Sequence, residues 1–565
     1  MTQTTATVPL RYALRLTNTA DSTGYFACVP ETPLAFQEAM VYLRDHPMDA
    51  FMHQHVLGFI STWEPHQLAQ ALEATGTDDV VAHALVLEAC LIEPRFAAIR
   101  SRFSPEDAAR LTAATPLLHI RSTFQKDQAL HSRWIRRFRE NMLSLEPLDG
   151  MTDAAPALPP ARVDGPGIVA AFAERGAAPA PSHADPEAAQ AIHDQALARL
   201  QKADILDGPE MRHTASLSPI ALLRKWMFSH KIRQGVLHYV LIGPQTSYGR
   251  GLQLESARAA CVMEVVERWS SYASVDGDRI PGRSRPMVLA VARYSELVAE
   301  DTAVLDPNHI ALEAPYTDAP LAWVDGEALT SDGPRRIRVP LQCVFLFANY
   351  DEPALFSALG STGLATGSTM AQAKLNGLME VIERDADLTR VFHWQDCFFL
   401  TAADPAVQRL LDDYKRQGIH LFFQDISHHT GIPCYRCFVI AQDGSVARGT
   451  AGHLDGRRAI ISAMTETPHP YPAEMPSQMP PQHLPVRQLE DLPSYCTGRA
   501  ETNLQLVETV LLSSGYEPIS VDITTEDLAY PVCRVIVPGM EIMSDFDMFS
   551  RVSPRLLAHY RANCR

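Results

Sequence analysis

The chain has 565 residues, 46% hydrophobic and 20% charged, enough for two to four domains with sizeable cores. Its formal net charge of −17, from 49 basic and 66 acidic residues, argues against a general nucleic-acid or anionic-membrane binder but leaves a basic peptide or protein open as a client. The opening MTQTTATVPLRYALRLT lacks the apolar core of a signal peptide, and no run of eighteen apolar residues suggests a membrane span, so a cytoplasmic protein is expected.

Residues 1–150 read as a mainly helical N-terminal domain. Leu10–Thr17 fits a strand, and the apolar spacing then predicts helices over Ala35–Arg44, Ala50–Ser61, Pro65–Ala74, Asp78–Glu93, Pro105–Ala113 and Ser132–Leu145. Asp78 and Ser104 are expected N-caps, with Pro105 in a first turn. His53, His55 and His119 read as packing or surface residues rather than metal ligands. The basic stretch Ser132-RWIRRFRE offers either a partner-docking surface or, the blander reading, a solvated helix face. Residues 151–190 are rich in Ala, Pro and Gly and read as a flexible linker.

From 191 to 565 strands and helices mix without strict βαβ order. Helix is expected over Pro186–Ala203, Val407–Gln417 and Leu504–Ser514. Strands are expected over Leu222–Phe228, Gly235–Gly243, Ile419–Asp425, Ile432–Ile440, Glu517–Ile523 and Val532–Val537. Cys434 and Cys437 fall on opposite faces of one such strand, a poor redox or zinc pair. The Pro-dense 468–491 reads as a surface loop near the site. The fold class is therefore α+β: mixed sheets carrying a duplicated glycine-loop and acidic-helix unit, preceded by the helical N-terminal domain.

That duplication organises the chain. Gly251-LQLESARAACVM-Glu264-VV-Glu267-Arg268 recurs as Gly367-STMAQAKLNGLM-Glu380-VI-Glu383-Arg384, at a constant offset of 116 (380 − 264, 383 − 267). Ala257 and Ala373 each stand seven residues before the first Glu. At about 100° per residue, Ser256, Ala260, Glu264 and Glu267 share one stripe, as do Gln372, Asn376, Glu380 and Glu383. Val262, Val265 and Val266, and Leu378, Val381 and Ile382, take the opposite arcs. A single such helix would be an ordinary amphipathic surface element; the repetition favours two stripes facing one site. A fainter third unit, Ala459-IISAMT-Glu466, sets Arg458, Ser462 and Glu466 on one stripe before Pro468 and Pro470 stop it.

Four carboxylates at one place raise one another's pKa, and a divalent cation relieves that cost. Mg²⁺ takes hard oxygen ligands, commonly carboxylates together with substrate phosphates. Gly249, Gly251, Gly363 and Gly367 let backbone approach closely, and helix N-termini favour anions. Glu264, Glu267, Glu380 and Glu383 thus become candidate metal ligands, with Arg250 and Arg384 for phosphate. Neither a Walker P-loop nor a G-x-G-x-x-G fingerprint is present.

The stretches Ser247-YGRG followed by EVVER, and Ser361-TGLATGSTMAQAKLNGLMEVIERD, resemble the paired signatures of the YcaO family. Val532–Glu541 (VCRVIVPGME) is similar to the family's late strand and turn, so the resemblance runs over roughly residues 200–545. It implies ATP and Mg²⁺ as cofactors, and phosphorylation of a backbone amide oxygen in a peptide or protein substrate. A Cys, Ser or Thr side chain then gives an azoline, or sulfide a thioamide. A separate leader-peptide-binding or sulfur-delivery protein is a candidate partner, as is a second copy of the chain, and the sequence leaves open whether a separate leader-peptide receptor is needed.

Carried over by position, the four glutamates match metal or nucleotide ligands and Arg384 a phosphate-binding arginine. Arg250 stands where Lys is usual. Ser368 and Gln372 occupy cofactor-binding positions where Asn and Glu are usual, Ala260 stands for a Ser, and Ser462 is a further departure. The tail HYRANCR lacks the Pro-rich terminus of many azoline-forming relatives. These departures motivate a second reading, a weakened accessory or scaffold protein, for example in ribosomal-protein methylthiolation. No catalytic base is named by the sequence.

Overall fold

The computed structural model describes residues 9–17, 25–76, 78–123, 127–148, 154–156, 158, 167–176, 185–472, 475–542 and 550–563. Three mixed sheets and their helices realise the α+β class. In the first sheet the hairpin Ile220–Gln234 and Leu237–Gly251 is central, fifteen residues per strand and much longer than the apolar runs predict. Alternating buried and exposed residues carry it past those runs to a turn at Gly235, where φ is +53°.

Leu10–Thr17, a strand as expected, pairs in parallel with Leu237–Gly251, and Tyr25–Pro30 adds beyond it. The N-terminal chain thus shares a sheet with the region that follows it. Asp49, wholly buried, accepts hydrogen bonds from the Tyr12 and Tyr42 hydroxyls at 2.7 and 2.8 Å and from Asn349 Nδ2 at 3.0 Å, tying the two further.

The N-terminal helices fall close to their expected positions, Phe36–Asp45, Ala50–Ile60, Pro65–Ala74, Val80–Ile92, Pro105–Leu111 and Gln128–Ser144. Ser104 caps as expected, but Asp79 rather than Asp78 caps Val80–Ile92, accepting from Ala82 N at 3.1 Å. His53 is a packing residue, its Nε2 2.7 Å from the Pro47 carbonyl. Much of 151–190 lies outside the described residues, yet inside it Ile168–Glu174 is a helix pinned by Ile168 N donating to Thr430 O at 2.7 Å. The Pro-dense segment is less loose than its composition suggests, since Ser477–Gln478 and Val486–Gln488 each add a strand to the third sheet. No helix among the described residues is long and apolar enough to cross a membrane.

Three helices build the site, and each leaves a strand of a different sheet. Helix α1 (Leu254–Ser270) follows Leu237–Gly251 of the first sheet; α2 (Met370–Thr389) follows Leu364–Thr366 of the second; α3 (Gly456–Glu466) follows Val446–Gly452 of the third. Helices α1 and α2 bury their predicted apolar arcs. Val262, Val265, Val266, Val381 and Ile382 are fully inaccessible, worth about 1.5–3 kcal/mol apiece in transfer free energy.

The recurrent alanine has a packing reason. Ala257, Ala373 and Ala459 are all fully buried. At the first of them the preceding strand lies so close that a Cβ on Gly249 would stand 2.0 Å from the Ala257 carbonyl oxygen. Close strand–helix approach aims the acidic stripes toward one another.

Candidate active site

In each unit a backbone N–H just ahead of a helix anchors a glutamate. Tyr248 N donates to Glu264 Oε2, Gly363 N to Glu380 Oε2 at 3.2 Å, and Gly452 N to Glu383 Oε2 at 2.9 Å. The third contact crosses units, from the strand before α3 to a side chain of α2. Glu380 acts electrostatically on Glu264, Glu267, Glu383 and Glu466, so five carboxylates from three helices share one region.

They are crowded rather than sealed: the Glu264 side chain keeps 29% of its surface open and Glu383 16%, so a ligand can reach them. Burial pushes the Glu267 carboxyl up to about 8, opposed by Arg268 and reinforced by Glu380 and Glu264. Glu264 is raised by burial against Arg268 and the Tyr248 N–H. Burial and then Glu466 lift Glu383 well above the carboxylate range, while burial lifts Glu466 against Arg250 and Arg384.

Four arginines balance this charge. Arg268 lies 3.8 Å from Glu264 and 3.5 Å from Glu267, and Arg384 lies 4.0 Å from Glu380 and 3.9 Å from Glu383. These separations exceed hydrogen-bond length. Nε of Arg250 and of Arg384 is buried without a hydrogen-bond partner among the described residues. Arg534, 1% exposed, donates to Gly360 O at 3.1 Å; burial pulls its guanidinium down to about 10, with Glu380 opposing.

Glu380 and Glu383 line a cleft of about 370 Å³ with Gln372, Asn376, Gly452, His453, Arg458 and Asn503. Asn376 Nδ2 donates to Thr366 O at 3.0 Å, so its Oδ1 accepts from Gln372 Nε2 at 2.6 Å. The amide chain leaves Gln372 Oε1 as its free acceptor. Ser368 is exposed, one residue before the capping Thr369, and is not part of the cleft lining.

Behind the cleft, α2 is pinned by two buried ion clusters. Arg436 Nε donates to Asp387 Oδ1 at 2.7 Å, and Asp385 meets His428 at 3.2 Å and Arg555. Burial works against both carboxylates, but Arg555 and His428 at Asp385, and Arg448 and Arg436 at Asp387, hold them well below the usual range.

Among the described residues no three His, Cys, Asp or Glu side chains form a ready cage for a cation. Mg²⁺ is usually held by one or two carboxylates plus phosphates, so acidic side chains beside arginine nitrogens that have no hydrogen-bond partner suit a cation that arrives with a polyphosphate. The donor set fits that group.

Arg268, Arg534, Glu466 and His453 were not singled out as ligands by sequence. Arg268 carried a signal, since it repeats Arg384 at the same offset of 116 (384 − 268). Arg534 carried another, a lone charge inside an otherwise apolar strand.

A family model described as YcaO cyclodehydratase, ATP- and Mg²⁺-binding, matches residues 248–475 and 468–541, over half the chain. The chain belongs to the YcaO family. An uncharacterized protein of Methanothermobacter thermautotrophicus is 26% identical over 381 residues, covering 58% of this chain and 92% of the relative. A heterocyclase solved in complex with substrate and cofactor is 18% identical with a TM-score of 0.47; the match covers 65% of this YcaO chain and about half, 55%, of the heterocyclase. The YcaO protein from Methanopyrus kandleri, bound with AMPPCP and Mg²⁺, is 19% identical with a TM-score of 0.44, covering 63% and 91%.

The raised carboxylates give this YcaO site a pH signature. Folded Glu267 keeps its proton up to about pH 8, whereas the unfolded chain loses it in the ordinary carboxylate range, so stability falls as pH rises through that interval. Histidines held down by burial, such as His53 and His230, act with the opposite sign but only below the ordinary imidazole range. Thermal unfolding of nucleotide-free protein is therefore expected to shift to lower temperature from pH 7 to 8.5, and less so in Glu267→Gln. The variant separates Glu267 from the buried Glu352, also near 8. An identical shift in the variant contradicts the assignment.

Proposed function

We propose that this chain binds ATP with Mg²⁺ among its three helices and activates a backbone amide of a peptide or protein, leading to an azoline or a thioamide. The observation that carries the reading is the convergence of Glu264, Glu267, Glu380, Glu383 and Glu466 with Arg250, Arg268 and Arg384 from three strand–glycine–helix units, joined by Arg534 of the strand Val532–Ile536.

In this reading one or two of the carboxylates hold the cation, and Arg250 and Arg384 meet phosphoryl oxygens through the nitrogens that have no hydrogen-bond partner. When bound, Mg²⁺ supplies charge neutralisation at the phosphates. Arg268 opposes the protonation that burial favours at Glu264 and Glu267, and Arg534 opposes it at Glu267, so both lower the cost of ionising these carboxylates when a cation binds. The γ-phosphoryl group passes to the amide oxygen and ADP leaves. The nucleophile adds to the amide carbon, a Cys, Ser or Thr side chain giving up its proton, and keeps that bond as phosphate departs with the former amide oxygen; loss of the N–H proton then leaves the azoline C=N, or loss of the S–H proton the thioamide C=S. Fixed arginines offset the charge that develops, the largest single contribution such a site makes. The nucleophile belongs to the substrate side chain or to sulfide, and a leader-peptide-binding or sulfur-delivery protein is the partner class this chemistry calls for.

Gln372 favours a second reading, an accessory or scaffold role. Its amide offers the cleft a neutral oxygen where a carboxylate would offer charge, which weakens cation binding. Calorimetry with AMPPCP at millimolar Mg²⁺, followed by ADP release with candidate peptides, separates the two. Saturable binding and peptide-stimulated release are expected. Absence of binding supports the scaffold.

A further inference from the structure

We infer that His453 is a neutral hydrogen-bond donor, through Nε2–H, to a β- or γ-phosphoryl oxygen of the nucleotide; this rests on the nucleotide reading above.

His453 follows Gly452, whose N–H is fixed on Glu383 Oε2 at 2.9 Å, and its own N–H donates to Pro433 O at 3.0 Å. Backbone on both sides of the ring's attachment is therefore held. The imidazole Nδ1 accepts the Asp455 N–H at 2.9 Å. Asp455 in turn caps α3, accepting from Arg457 N at 3.1 Å, so the ring is part of the turn that starts the helix.

A ring nitrogen that accepts an amide N–H carries no proton, which places the single proton of the neutral ring on Nε2. Burial, then Arg458, hold the imidazole down to about 4, with Asp455 opposing, so the neutral ring prevails near pH 7. The ring's hydrogen bond to protein is made through Nδ1, and His453 lines the 370 Å³ cleft with Arg458, Glu380 and Glu383.

The tautomer decides the role. With Nδ1 engaged, this histidine donates and is not available as a base. The same cleft lining holds donors, His453 and Arg458, and carboxylates of α2, Glu380 and Glu383, the two kinds of group that an anionic chain with a cation requires.

Asparagine and glutamine separate the two ring nitrogens. In His453→Asn the side-chain oxygen accepts the Asp455 N–H as Nδ1 does, and the start of α3 survives, but nothing donates into the cleft. In His453→Gln the amide nitrogen reaches the place of Nε2. Titrating Mg²⁺–AMPPCP, the asparagine variant is expected to bind about tenfold more weakly and the glutamine variant within about twofold of the parent. Displacement by AMP, which lacks the outer phosphates, is expected to be unchanged. The ¹⁵N shifts of the parent at pH 7 should show Nδ1 unprotonated and Nε2 protonated. Equal affinity in parent and asparagine variant, glutamine no better than asparagine, an equal loss for AMP, or a doubly protonated ring each overturns the assignment. A parent that fails to bind AMPPCP overturns the nucleotide reading and this assignment with it, and is recognised by the flat titration of the unmutated chain.

Discussion

Glu380→Gln is expected to remove ATP turnover while leaving the chain folded. Glu380 acts on all four of the other carboxylates and on Arg268, Arg384 and Arg534. Glutamine keeps an oxygen to accept the Gly363 N–H, so the local hydrogen bond survives and the charge alone is lost. A charge at the cation and phosphates is worth on the order of 10²–10³ in turnover. Stability moves the other way or scarcely at all. Repulsion among the remaining glutamates falls, Arg534 loses one counter-ion, and the two changes oppose, leaving a net effect within about 1 kcal/mol. ADP release and thermal unfolding measured on the same preparation check both halves. Turnover within about threefold of the parent contradicts the role of Glu380.

The second large effect is on stability. Gly363 has φ of +83°, and a Cβ there would stand 2.1 Å from the Val535 carbonyl oxygen. Val535 N also donates to Gly363 O at 2.7 Å, so strand Val532–Ile536 cannot retreat without losing that bond. Left-handed strain for a non-glycine residue costs about 1–3 kcal/mol, and a clash with backbone adds to it. Gly363→Ala is expected to lose at least about 3 kcal/mol and to pull Gly363 N away from Glu380. A Cβ on Gly360, three residues earlier, would meet nothing within 4 Å, and φ there is not positive, so Gly360→Ala should cost under about 1 kcal/mol. Urea unfolding of both variants checks the contrast. Equal midpoints contradict the close approach of Gly363 to that strand.

The two acidic helices were legible because their evidence is local and repeated: a stripe at helical spacing, a glycine thirteen residues ahead, an alanine where the strand crosses. The third unit was faint in sequence, yet Ala459 is buried and Glu466 joins the site. What periodicity could not carry is long-range placement. Nothing near Leu10 states that it pairs with Tyr239, and nothing in Gly251, Gly367 or Gly452 states that their strands belong to three sheets. Strand pairing is decided by which faces remain unburied once other elements dock, a property of the whole chain. Arg534 and His453 were missed for a related reason: each shares the site with a glutamate more than 60 residues away in sequence, Glu380 acting on Arg534 (534 − 380) and Glu383 lining the same cleft as His453 (453 − 383). The helix Ile168–Glu174 was hidden by composition, its short apolar run flanked by Ala- and Pro-rich sequence.

Mn²⁺ can stand in for Mg²⁺ and scatters anomalously. Crystals grown with Mn²⁺ and AMPPCP should give an anomalous peak within ligand distance of at least one glutamate from α1 and one from α2, with phosphoryl oxygens completing its shell. Mn²⁺ bound elsewhere, or nucleotide in the cleft with its metal touching none of Glu264, Glu267, Glu380, Glu383 and Glu466, would contradict the convergence of the three helices on one cation.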